Sequence, residues 1–293
     1  MLLTRGLLAG LLIVGIAGPV QAQFSWGPPP EKNGILVPYE PTPDNVVEAM
    51  LKIGNIGAND VVMDLGSGDG RIVITAAREY GARAIGVELN PDLVNRSLTN
   101  AKTAGVSDRV EFRQEDIFKT DLTPATVVTM FLYPRVNIML RPKLLELKPG
   151  TRIVSHFHDM QEWRPDNRQR LMTKEHYGDT WVFLWYIPAK VEGRWQWTQS
   201  RGGVEQRHVL SLRQTFQEIE GELTTDSLRP IAIRDAKLRG PRISFWVPIR
   251  ESGRTVRWDF NADVEDGVIV GSEVSQDTGG RKQLAWRAER VPR

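Results

Sequence analysis

Gly66, Gly68 and Gly70 stand at alternate positions after the apolar run Val61-Val62-Met63-Asp64-Leu65. Glycines in such a turn admit positive φ and let the backbone come close to a ligand. Ile72, Val73, Ala76, Ala77 and Tyr80 then keep helical spacing up to Gly81, so a helix N-terminus follows the turn. That end of a helix favours anionic or acceptor-rich groups. Residues 84–89 form a second apolar run holding Glu88, with Asn90 next. An acid ending such a strand can accept from two ribose hydroxyls. Strand, glycine turn, helix and acid-ended strand describe a nucleoside-binding βαβ unit. Its candidate binding residues are Asp64, Gly66, Ser67, Gly68, Gly70, Glu88 and Asn90.

Spacing narrows the nucleoside. A dinucleotide fingerprint needs G-x-G-x-x-G, and the third dinucleotide position here is Arg71. Asp64 would repel a pyrophosphate but can accept from an amino group or sit beside a cation. Further along, Glu115-Asp116-Ile117-Phe118 follows a strand at 110–113. Asp116 is placed to meet an adenine amino group with Ile117 against the ring, and Glu115 competes for that role. The run 126–132 ends at Tyr133-Pro134, where an aromatic ring can pack on an amine by cation–π attraction; plain packing is the alternative. His156 and His158 close a strand at 151–157. Strand alternation puts both rings on one face, which a metal could use. A hydrogen-bonded polar rim accounts for them better, and no metal centre is expected.

These residues need a scaffold to hold them. Asp44 is placed to N-cap a helix carrying Val46, Val47, Met50, Leu51 and Ile53. Asn90 caps the next helix after Glu88, with Pro91 in its first turn and Gly105 at its close. Strands alternate with helices over residues 44–189, which predicts a doubly wound, mostly parallel sheet with ligands at the carboxyl ends of its strands. The charged run 164–170 reads as a solvated face. From Lys190 to the end the texture changes to short β-rich runs between turns. That predicts a small antiparallel sandwich or barrel with Trp246, Trp258, Trp286 and Phe260 in its core.

The chain has 293 residues, enough for two domains. Lys+Arg 38 against Asp+Glu 36 leaves a net charge of +2 without clustering, so no nucleic-acid footprint is present. The absence of cysteine excludes disulfides, thiolate metal sites and cysteine nucleophiles. Arg5, the apolar run 6–17 and Val20-Gln21-Ala22 make residues 1–22 an export signal or an uncleaved membrane anchor. Either way the body is expected outside the cytoplasm, in the periplasm of a bacterial source. Residues 23–43 are a proline-rich segment.

D-x-G-x-G-x-G from Asp64 to Gly70, followed by Gly86-Val87-Glu88-Leu89-Asn90, closely resembles the cofactor motifs of class I, seven-strand, Rossmann-like S-adenosylmethionine methyltransferases. A narrower likeness runs through Val37-Pro38-Tyr39-Glu40-Pro41-Thr42-Pro43, Asp116-Ile117-Phe118, Pro124-Ala125-Thr126-Val127-Val128, Leu140-Arg141-Pro142-Lys143-Leu144, Pro149-Gly150-Thr151-Arg152, Ser155-His156 and Trp163-x-Pro165-Asp166. Together these resemble the mitochondrial protein-lysine methyltransferases that modify the ATP synthase c-subunit and the adenine nucleotide translocase. The likeness spans about residues 35–188. It implies S-adenosylmethionine as cofactor and a lysine on a membrane-associated protein as acceptor. It also implies that Tyr39 and Thr42 border the cofactor and acceptor sites. Glu40, the export segment and the added β module depart from the family pattern and leave the acceptor open. The G-x-W opening at Gly193-Arg194-Trp195 resembles lipocalin-type modules, so the C-terminal part is expected to bind a partner or ligand. Rival functions are methylation of a small molecule or lipid, a non-catalytic nucleoside-binding module, and an NAD-linked oxidoreductase.

Overall fold

A computed structural model describes residues 38–172, 178–201, 203–226, 228–251, 253–277 and 280–292. The export segment at 1–22 and the proline-rich stretch as far as residue 37 lie outside the described residues.

Strand β1 (Val61–Leu65) enters the centre of the first sheet. Val62, Met63 and Leu65 are fully buried, as a strand covered on both faces requires. Around it lie β2 (Arg83–Glu88), β3 (Val110–Gln114), β4 (Val127–Met130), β5 (Arg152–His156), β6 (Asn167–Met172) and β7 (Asp179–Tyr186), in the order β3-β2-β1-β4-β5-β7-β6. β1 to β5 run parallel, and β7 is antiparallel to both its neighbours, β5 and β6. The charged run 164–170 is therefore partly an edge strand. Its side chains stay exposed on both faces, and charge on an edge discourages further pairing.

Helices α1 (Asp44–Ile53), α2 (Arg71–Tyr80) and α3 (Pro91–Thr103) contact one another in sequence and cover one face of the sheet. Asn90 caps α3 by accepting from the Asp92 N–H at 2.9 Å, with Pro91 in the first turn. Asp44 does not cap α1. Pro43 holds the N-cap position, its carbonyl accepts from Val46 and Val47, and the exposed Asp44 only lends first-turn charge. On the opposite face, α4 (Pro134–Leu144) follows β4. No helix joins β5 to β6; residues 157–166 make that crossing, and Trp163 packs on Trp185 with ring centroids 6.0 Å apart.

The C-terminal half is a meander: β8 (Gly193–Arg201), β9 (Val204–Thr215), β10 (Glu218–Thr225), β11 (Leu228–Ala232), β12 (Arg234–Arg239), β13 (Arg242–Glu251), β14 (Arg254–Glu265), β15 (Val268–Asp277) and β16 (Gly280–Arg290). β11 pairs with β10 and β12 with β13, while only Ile233 separates β11 from β12. β16 returns to pair with β8. The two end strands, β11 and β12, are consecutive in the chain but not paired with each other, so the sheet curls into a nearly closed barrel. Its core holds Trp195, Phe245, Trp258, Phe260 and Trp286. Trp246 is not among them. Strand alternation turns it outward, where its indole donates to Asp235 at 2.7 Å under the Arg257 guanidinium. Arg290 of the last strand lies 4.4 Å over the Trp195 ring and donates to the Lys190 carbonyl, closing the barrel mouth beside the linker.

Candidate active site

The glycine turn is tied down before any ligand arrives. Gly66 and Ser67 N–H both donate to the Val87 carbonyl, at 2.9 and 3.0 Å. Gly66, Gly68 and Gly70 all take positive φ, at 77°, 55° and 81°. At Gly68 the demand is double, since a Cβ there would lie 2.6 Å from the Tyr39 ring. Tyr39 therefore lies across the loop, near the Asp69 carboxylate. Burial and the Asp69 charge raise the phenol above its usual range. Burial opposes the Asp69 charge, but the Arg71 guanidinium, donating at 2.8 and 3.0 Å, holds that carboxyl below its usual range. Arg71 also donates to the Thr42 carbonyl at 2.8 Å, so Thr42 takes part through its backbone. From α3, Ser97 donates to Gly68 O and Asn100 to Asp69 O, each at 2.9 Å. Sequence reasoning misses Asp69, Arg71, Ser97 and Asn100. Only the first two carry a signal, their place inside the glycine motif.

Glu88 spans this loop and the next turn. One carboxylate oxygen accepts from Gly68 N at 3.0 Å and the other from Asn90 N at 2.9 Å. Each oxygen keeps a second lone pair, which is the capacity a ribose diol needs. Beside it, the buried Ser67 hydroxyl has no hydrogen-bond partner among the described residues. Asp64 is buried and accepts from the Thr129 hydroxyl at 2.7 Å. Burial pushes its carboxyl up to about 7, partly offset by Thr129 and reinforced by Glu88 and Asp69. A cationic amino-acid group would relieve that desolvated acid. These residues fit a nucleoside that carries a cation, and S-adenosylmethionine is one.

At the end of β3 the structure gives Asp116 a structural bond. Its carboxylate accepts from Phe118 N at 2.9 Å and pairs with Lys119 at 3.6 Å, while Ile117 is half-buried beside it. Glu115 accepts from Thr120 instead.

Past the end of β4 the chain meets the turn at Leu132, whose Cδ2 would lie 3.1 Å from a Cβ on Gly66. Tyr133 therefore leaves the sheet beside the glycine turn and caps α4, with Pro134 in the first turn. The Tyr133 ring meets His158 edge-on at 6.3 Å, and His156 lies against Phe131 at 4.1 Å. The two histidines do not share a face. Phe157 between them has φ 66°, which turns the chain and breaks strand alternation. His156 is buried with Nε2 2.9 Å from the Thr180 hydroxyl, and burial lowers its pKa to about 3. Burial also lowers His158 to about 4, so both rings are neutral at pH 7. Among the described residues no group of three side chains could hold a metal. Asn137, unmarked in the sequence, donates from α4 to the carbonyls of His158 and Asp159 at 3.2 and 3.3 Å. Ser155 donates to the same His158 carbonyl at 2.6 Å. Neutral imidazoles and aromatic rings thus gather past the end of β4 beside the glycine turn, and such surroundings favour an uncharged amine over an ammonium.

Comparison with known proteins agrees with this chemistry. Residues 64–167 match the ANTKMT methyltransferase domain. A protein-lysine N-methyltransferase of Saccharolobus islandicus is 49% identical over 131 residues, which are 44% of this chain and 81% of that one. The mouse adenine nucleotide translocase lysine N-methyltransferase is 40% identical over 131 residues, 44% of this chain and 56% of its own length. A solved structure described as an RNA methyltransferase from Salinibacter ruber with S-adenosyl-L-homocysteine is 52% identical, covers 52% of this chain and 96% of that chain, and superposes with a TM-score of 0.48. The chain belongs to the protein-lysine N-methyltransferase family defined by this domain, whose cofactor is S-adenosylmethionine.

Proposed function

We propose that the chain methylates the side-chain amine of a lysine in a protein, with the lysine entering between Tyr133 and His158. The packing of Leu132 on Gly66 carries this reading, because it places the end of β4 beside the cofactor turn. When bound, the cofactor supplies an already activated sulfonium methyl group. The protein's part is then alignment and desolvation rather than a dedicated base. Glu88 holds the nucleoside, and Asp64 lies toward the cationic end. Asp116 and Ile117 stand at the adenine side. Tyr133 packs on the lysine stem and attracts its charge on entry. The neutral ring of His158 lines the entry without adding positive charge. Radiolabelled methyl transfer to source membranes and soluble proteins, followed by mass spectrometry, tests this. Label on lysine supports it, and label only on lipid or small molecules sinks it.

We further propose that residues 1–22 direct the chain out of the cytoplasm or anchor it at a membrane, near a membrane-associated substrate. Arg5, the apolar run 6–17 and Val20-Gln21-Ala22 support this. Among the described residues no helix is long and apolar enough to cross a membrane. N-terminal sequencing of the mature protein is expected to begin at Gln23 if the segment is a cleaved signal. An intact Met1 on a protein recovered in the soluble cytosolic fraction contradicts export.

A further inference from the structure

We infer that the β9–β10 hairpin of the barrel is a positioning element for residues 157–164 on the acceptor side, which makes the barrel part of the enzyme. The inference rests on the reading that the acceptor enters beside Tyr133 and His158.

A doubly wound sheet needs cover on both faces, and the crossing from β5 to β6 contains no helix. Phe183 and Trp185 on that face are buried all the same. Trp185 is covered by Trp163 from the crossing segment, and beyond Trp163 lies Phe216 from the barrel. Phe216 stacks on Trp163 at 5.7 Å between centroids and 17° between planes. It stands in the two-residue turn between β9 and β10 with φ 55°, so the turn itself presents the ring. The Arg141 guanidinium of α4 lies 5.3 Å from the same ring.

Hydrogen bonds repeat the pattern. The carbonyls of three crossing residues are each taken by a different element. Met160 O accepts from Arg141 at 3.0 Å, Trp163 O from the Trp185 indole at 2.7 Å, and Arg164 O from Gln217 of the hairpin at 2.6 Å. Gln214 locks the hairpin in turn, donating to Phe216 O at 2.7 Å and to Ala189 O of the linker at 2.9 Å. The crossing segment therefore has α4 on one side and the barrel on the other. It continues directly into His158, whose carbonyl Asn137 and Ser155 fix. A second contact between barrel and sheet, Arg239 at 4.3 Å over the Tyr186 ring and Ala189 N–H to Gly240 O at 2.8 Å, lies on the linker strand and serves as an internal control.

The test uses the full chain with Phe216→Ala, Phe216→Tyr and Arg239→Ala, each checked for a cooperative thermal transition. Hydrogen exchange of the 157–161 amides, the titration midpoint of His158 by NMR, calorimetric affinity for S-adenosylmethionine and methyl transfer to protein lysine are read together. Phe216→Ala is expected to speed exchange at 157–161 at least about tenfold and move the His158 midpoint up toward that of a solvated imidazole, with cofactor affinity within about twofold. Phe216→Tyr is expected to restore both, and Arg239→Ala to change neither. Unchanged exchange and midpoint in Phe216→Ala overturn the inference. So does an equal response in Arg239→Ala, which would mean general loosening of the interface. If the segment responds while methyl transfer does not, the hairpin holds the segment but the acceptor enters elsewhere, and the acceptor reading is the one that fails.

Discussion

On the cofactor side, the loop partners come from residues 39–100 and act largely through backbone atoms: Val87 O, Gly68 N, Asn90 N and the Thr42 carbonyl. The proposed acceptor side draws on Tyr133, Asn137, Ser155, the left-handed Phe157, Trp163, and Phe216 from the barrel. The first is a local device in which glycine conformation and helix ends preset the hydrogen bonds. The second is a packing device held together by side chains far apart in the chain. A cofactor that does not vary suits the former. A loop set by surrounding elements can be retuned for a different acceptor without touching the cofactor turn.

The sharpest way to separate the two is to break each alone. Trp163→Ala removes a fully buried indole that joins Trp185 to Phe216, and is expected to lower stability by about 3–5 kcal/mol in denaturant unfolding. Calorimetry on the folded protein should still find S-adenosylmethionine affinity near wild type. Equal loss of both would show that the two sides are one unit. Gly68→Val makes the converse break. It forces a β-branched residue to φ 55° and into the Tyr39 ring, a strain of about 1–3 kcal/mol that the loop must relieve by moving. Cofactor affinity is expected to fall at least about tenfold, with exchange at 157–161 unchanged. Glu88→Ala should weaken cofactor binding by roughly 1–3 kcal/mol, since it removes the acceptor shared by Gly68 N, Asn90 N and the ribose. Unaltered affinity would reject Glu88 as the ribose ligand.

The same contrast explains what could be read from the sequence. Gly66, Gly68 and Gly70 announce themselves because only glycine tolerates their φ, and Asn90 because its cap is made two residues away. The parallel sheet follows from alternating apolar runs. Phe157 gives no such sign, since nothing about a phenylalanine foretells a left-handed turn, and a strand continued through it puts His156 and His158 together wrongly. Trp163 and Phe216 lie 53 positions apart, and their stacking is fixed by how the barrel docks. Trp246 reads as core because it is a tryptophan. The two-residue period of β13, shared by Phe245 and Val247 inside, sends it outward. Edge strand β6 is hidden by its charges, which reflect exposure on both faces rather than a missing strand.

Acidity should distinguish the two sides with opposite signs. His158 has a folded pKa of about 4, below the 6.5 of a solvated imidazole, so between those values the unfolded chain binds more protons. Its contribution is fully present above pH 6.5 and is lost as pH falls toward 4. Asp64 has a folded pKa of about 7, above its ordinary 3.8, so there the folded chain binds more protons. Its contribution is fully present below pH 3.8 and is lost as pH rises through 7. Each effect is on the order of 1 kcal/mol between pH 7 and pH 6, and they oppose one another. His156, lowered to about 3, adds a second loss of the same sign as His158, so denaturant unfolding at those two pH values is expected to show a modest loss of stability on acidification in the wild-type protein. His158→Asn should make the protein gain stability on acidification relative to wild type, and Asp64→Asn should make it lose stability. If both substitutions shift the slope in the same direction, the two sides do not have the opposed surroundings that burial gives them.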